Sequence, residues 1–172
     1  MSKISKNTKI IIAAIAVLLP VVAVLAILHF RNMQERLEYH EDGSFMVILG
    51  DERVHVSMED LMTLNPQELS ASPRGSTRNF TGVPIVDVLG HSGLDYTQGA
   101  SLTFSSIDGF MSGISMDEAL NPDHAFIVFL EDGEPLYSEG GSFVRAPFMV
   151  VLVDDPFPNR WARYLFEVVI QP

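Results

Sequence analysis

No cysteine occurs anywhere in the chain of 172 residues. That absence excludes disulfides, thiolate metal sites, iron–sulfur clusters, covalently attached haem and a cysteine nucleophile together. Lysine is almost as scarce: Lys3, Lys6 and Lys9 are the only ones, and all precede the first apolar run. From Leu37 onward the chain has 21 acidic residues against six arginines and no lysine, a formal balance of −15. A surface of that sign repels phosphate backbones and anionic head groups, so no nucleic-acid partner is expected.

Charge is also missing from one long stretch. Between Ile10 and Leu28 there is no charged residue, and only Pro20 interrupts the aliphatics. A helix of that length spans about 28 Å at ~1.5 Å per residue, close to the hydrocarbon thickness of a bilayer. Pro20 is compatible with a span, because neighbouring groups in membrane helices re-satisfy the freed carbonyl. A cleavable signal peptide would have a shorter apolar region and a small-x-small site behind it, whereas Ile27, Leu28, His29, Phe30 and Arg31 follow here. The lysines before the run set the orientation, since positive charge stays inside. The expectation is therefore a cytoplasmic N-terminus over residues 1–9, a transmembrane helix over 10–30 and a polar stalk over 31–43. Residues 44–172 follow as one extracytoplasmic domain of ordinary size, and the bilayer is the first partner.

Within that domain the pattern is short strands with interspersed helices of one or two turns, an α+β arrangement. GSFMVILG and ERVHVS read as two strands joined at Gly50-Asp51. Ser57 with Asp60 three residues on is a capping box opening a helix that Pro66 ends, and Ser115 with Glu118 repeats that grammar before Pro122. SLTFSSIDGFMSGIS reads as a hairpin turning at Asp108-Gly109, and HAFIVFL and EPLY flank a second turn at Asp132-Gly133. The polar stretch QELSASPRGSTRN carries turn signals at Pro73 and Gly75. NFTGVPIVDVLGHSG, Asn79 to Gly93, reads as a Thr-Gly-Val-Pro turn against a short apolar helix that Gly93 closes. VRAPFMVVLV has the nearly continuous apolar character of a strand buried on both faces, and RYLFEVVI follows.

Few of the polar groups form a recognisable catalytic pattern. The EYHED cluster, Glu38 to Asp42, lies in the stalk without a His pair at helical spacing, so a solvated linker is expected over a metal site. Asp123-His124 opens an apolar strand, where a satisfied histidine is the commoner outcome. GHSG, Gly90 to Gly93, has its serine after a helix and not between strand and helix, which suits a helix end and not a nucleophile elbow. EGGSFV, Glu139 to Val144, lacks a Walker lysine, although a backbone nest stays open there. Arg145 interrupts an apolar segment and needs a partner, either a protein carboxylate or a bound anion.

Six motifs in series resemble the oxidoreductase molybdopterin-binding domain family, the sulfite oxidase-like fold. They are NFTGVPIVDVL, SLTFSSIDGF, MDEAL, FIVFLEDGEPL, GGSFVRAPF and NRWARYLFEV, and the resemblance runs from about Phe45 to Ile170. It implies a mixed β-sheet α+β domain in which the aromatic-x-Gly-Val-Pro segment leads into a helix packed on the sheet. Pro84 then stands in the first helical turn, with Ile85, Val88 and Leu89 as the buried stripe. In the family's enzymes a cysteine before this segment binds molybdenum; the matching window here, ELSASPRGSTRN, offers serines only. The enzymes also place a histidine where Gly140 stands, while Arg145 matches a residue that contacts the pterin. The resemblance thus implies a scaffold that has lost its soft metal ligand, with no catalytic residue, no metal ligand and no cofactor expected.

The first expectation for function is a membrane-tethered, non-catalytic module that binds a protein or small-molecule ligand. One alternative is a molybdopterin-dependent oxidoreductase with Ser70, Ser72 or solvent oxygen on the metal and Arg145 on the cofactor. The other is an accessory subunit of a membrane redox complex.

Overall fold

The computed structural model describes residues 12, 15–28, 43–136, 147–155 and 158–172. The chain divides into two compact units, Met1–Glu38 and Tyr39–Pro172. In the first, residues 15–28 are helical and exposed. Among the described residues no helix is long and apolar enough to cross a membrane. The expected span over 10–30 falls partly on residues outside those described, as does nearly all of the expected stalk over 31–43.

In the second unit, Ser44–Leu49 (β1) and Glu52–Ser57 (β2) form the expected antiparallel pair. Its turn is possible because Gly50 adopts a left-handed φ of 59°, which costs glycine nothing. Ser57 then caps Met58–Thr63 (α1): its hydroxyl accepts from the Asp60 N–H at 3.2 Å, and the Asp60 carboxylate accepts from the Ser57 N–H at 2.8 Å. The same reciprocal box, Ser115 with Glu118, opens Met116–Leu120 (α3) after the hairpin of Ser101–Ser106 (β5) and Met111–Ser115 (β6).

Between these helices the structure departs from two expectations. QELSASPRGSTRN is more than a polar connection: Gln67–Ala71 is a strand (β3), followed by a 3-10 turn at Pro73–Gly75. The Thr-Gly-Val-Pro segment is strand too, since Arg78–Pro84 (β4) pairs along its length with β3 and with Ala125–Glu131 (β7). Its glycine is demanded by packing. The β4–β7 register shifts between Thr81 and Gly82, and a Cβ at Gly82 would sit 2.6 Å from the Val128 Cα and collide with the Ile127 carbonyl oxygen. Pro84 stands at the cap position just before the helix and not inside its first turn.

Ile85–Ser92 (α2) buries Ile85, Val88 and Leu89, as the spacing predicts. Gly93, at φ 69°, ends it, and the Ser92 hydroxyl donates to the Leu89 carbonyl at 2.7 Å. The remaining strands are Glu134–Pro135 (β8), Met149–Leu152 (β9) and Leu165–Gln171 (β10). β9 is shorter than the apolar run that announced it, and Val144 to Ala146 lie outside the described residues.

These strands make two five-stranded sheets. One has the order β2-β1-β10-β5-β6, with β1 and β10 parallel and the other neighbours antiparallel. The other runs β3-β4-β7-β8, with β9 also on β7. A single apolar core draws on both sheets and all three helices of this unit. Phe45 meets Phe148 edge to face at 5.1 Å, and Phe80 meets Trp161 in the same way at 5.7 Å.

Candidate functional site

The Asp132-Gly133 pair closes the β7–β8 hairpin with φ values of 50° and 82°, the two left-handed residues of a type I′ turn. That geometry carries the Asp132 side chain back over β4. There the Asn79 side-chain amide donates to the Asp132 carboxylate at 3.2 Å, and the Asp132 N–H donates to the Asn79 carbonyl at 2.9 Å. Asn79 stands opposite Ser70 in the β3–β4 register, and the Ser70 hydroxyl donates to its side-chain carbonyl at 2.8 Å. A chain Ser70–Asn79–Asp132 therefore crosses the outer face of the sheet.

That chain lies in a cleft of about 580 Å³ lined by Glu68, Leu69, Ser70, Asn79, Phe80, Thr81, Asp132 and Gly133. Period-two alternation explains the polarity of its wall. Glu68 and Ser70 face the same side as their register partners Thr81 and Asn79, while Leu69 and Phe80 face inward. Phe80 is fully buried, with the Arg78 guanidinium 5.5 Å from its ring centre. Arg78 is itself ion-paired with Glu131.

Of the residues singled out in the sequence, Ser70 lines this cleft. Ser72 does not: its hydroxyl is 2.9 Å from the Thr77 hydroxyl, a link that ties the two ends of the Pro73–Gly75 turn. Arg145 and Gly140 lie outside the described residues. Glu68, Asn79, Thr81 and Asp132 were not singled out as site residues; the Asp-Gly turn signal marked Asp132 as a turn residue only.

A second polar cluster surrounds α3. Arg160 donates to Asp155 at 2.7 Å and to Glu118 at 2.8 Å, which clasps the α3 capping box to the turn after β9. His124 lies beside them, 3.7 Å from the Glu118 carboxylate and 3.8 Å from that of Asp154. The hydrogen bond from Arg160, then that from the Ser115 N–H, holds the Glu118 carboxyl down at about 2. A depressed carboxyl stabilises the fold above its unfolded pKa, and that contribution is lost as pH falls towards the folded value. Glu118→Gln preserves the cap and removes the charge, so it should cost at most about 1 kcal/mol at pH 6, the range of a solvent-screened pair. Urea midpoints of the two proteins should converge as pH is lowered from about 4.5 towards 2. Among the described residues no group of three or more His, Asp or Glu side chains is placed to hold a metal ion.

The two-sheet α+β domain, with capping-box helices after the β1–β2 and β5–β6 hairpins, has the sulfite oxidase-like fold. The sulfane dehydrogenase SoxCD from Paracoccus pantotrophus shares it, with a TM-score of 0.59 and 17% sequence identity over 77% of this chain and 39% of that one. The present chain thus spans about two fifths of the length of that structure. The oxidoreductase molybdopterin binding domain model matches residues 45–153, and the chain belongs to that family. No curated protein matches it.

Proposed function

We propose that this protein is a membrane-tethered, extracytoplasmic binding module on the molybdopterin-binding scaffold, non-catalytic, with its ligand taken at the Glu68–Asp132 cleft. The observation that carries this reading is the donor set of the cleft. The chain has no thiol, and the Ser70 hydroxyl is taken up by Asn79 and that of Ser72 by Thr77. Glu68 and Asp132 are the charged residues that line the cleft, and both are acidic. Among the described residues this lining offers neither a soft ligand for the family's metal nor a cation for the cofactor's phosphate.

Arg145 alone would supply one charge-assisted anion contact, about 1.5–3 kcal/mol, whereas micromolar affinity needs about 8 kcal/mol. The full chain purified in detergent from a molybdenum-replete, cofactor-making host should therefore carry no stoichiometric molybdenum and no pterin fluorescence after acid oxidation. Near-equimolar molybdenum that disappears in Arg145→Ala would instead establish the oxidoreductase reading.

The tether rests on the uncharged run from Ile10 to Leu28 and on Lys3, Lys6 and Lys9 before it. Protease added to intact cells or protoplasts should digest the domain beyond residue 43. Protection of that domain, with only the N-terminus accessible, would reverse the topology.

A further inference from the structure

β3 is an edge strand. It pairs with β4 from Gln67 opposite Gly82 to Ala71 opposite Arg78, and its other side makes no backbone hydrogen bond to any described residue. QELSA has no proline, no lysine and no bulge to blunt this edge, and its single charge is the Glu68 carboxylate. The two side chains that this strand turns outward, Glu68 and Ser70, are also walls of the cleft. An edge that no described residue pairs with and an acidic cleft therefore adjoin, the arrangement by which strand-adding domains take main-chain affinity from the edge and side-chain selectivity from a neighbouring pocket.

The charges choose the ligand's sign. Asp132 lines the cleft and its Oδ1 accepts from the Asn79 amide, and Glu68 is exposed. The nearest described cation on β4, Arg78, is paired with Glu131 and stacked against Phe80 on the inner face. No lysine occurs beyond Lys9 to compete for these carboxylates. Resting on the reading of the cleft as a ligand site, we propose that the domain binds an extended basic peptide, which adds a strand to β3 and places a Lys or Arg side chain between Glu68 and Asp132.

The test titrates the full chain in detergent micelles with a fluorescein-labelled peptide alternating Lys and Thr, read by anisotropy. Binding is expected, weakening as salt rises, with none for the same peptide carrying Glu in place of Lys. Glu68→Gln and Asp132→Asn should each weaken it by about tenfold or more, the worth of a charge-assisted contact. Asn at position 132 keeps the turn, because Asn-Gly suits the same left-handed geometry. Two further peptides, N-methylated on one or the other set of alternate residues, examine the edge. Methylation in the phase that faces β3 should abolish binding, whereas the opposite phase should bind as the parent does.

Equal binding of the Glu peptide, indifference to both methylated phases, or lysine amide binding as tightly as the peptide would each overturn the proposal. The last result would mark a small-amine site. Failure to bind in a protein free of molybdenum would remove this inference alone, whereas stoichiometric molybdenum would remove the non-catalytic reading beneath it.

Discussion

Phe80→Ala is expected to destabilise the domain by about 3–5 kcal/mol, the cost of emptying a buried aromatic site. Phe80 is 1% exposed, and three separate contacts converge on its ring or backbone. Trp161 meets it edge to face at 5.7 Å, the Arg78 guanidinium covers it at 5.5 Å, and β3 and β7 flank its backbone through Leu69 and Glu131. The cavity left by truncation would be roofed by paired strands, which cannot collapse into it without breaking register. Trp161 is the only tryptophan in the chain, so its emission in urea reports this corner directly, with circular dichroism as the independent probe. A loss below about 1 kcal/mol by both probes would mean that the corner repacks freely.

The second large effect is at the helix behind β4. Leu89→Ala should cost about 2–5 kcal/mol, because Leu89 is fully buried within the core cluster. His91→Ala, two residues on, should cost less than about 1 kcal/mol: its imidazole is part-exposed, 3.6 Å from the Asp60 carboxylate. The contrast is the measurement, made as paired urea melts. If His91 proved the costlier site, the end of α2 would have a role beyond closing the helix.

What the sequence disclosed was mostly local chemistry. Gly50, Gly93, Gly109 and the Asp132-Gly133 pair each need a left-handed backbone, and the structure has a turn or helix end at every one. The two Ser-x-x-acid boxes are satisfied in the same way. β3 stayed hidden because QELSA is polar on its outer face and only Leu69 and Ala71 mark the inner one, too few residues for period two to stand out. Gly82 looked like a turn glycine, whereas its need is steric and comes from β7, far along the chain. The cleft was illegible for the same reason. Ser70, Asn79 and Asp132 meet only through strand register, and nothing in their spacing announces a shared wall. Family motifs directed attention to Ser72 and Arg145, but the former bridges its own loop and the latter lies outside the described residues.

In the first sheet β10 lies between β1 and β5, parallel to one and antiparallel to the other. Two hairpins, β1–β2 and β5–β6, can close as soon as they are made, but each is a two-stranded ribbon that is marginal alone in water. Neither has its second neighbour until Leu165–Gln171 has been synthesised. A chain emerging N-terminus first therefore travels with the inner edges of β1 and β5 unpaired, and both strands bear buried apolar side chains. Folding of this sheet becomes a late, long-range event, slow for its size and exposed to aggregation while it waits. A nascent chain stalled before Leu165 would hold two separate ribbons and the makings of an intermolecular sheet.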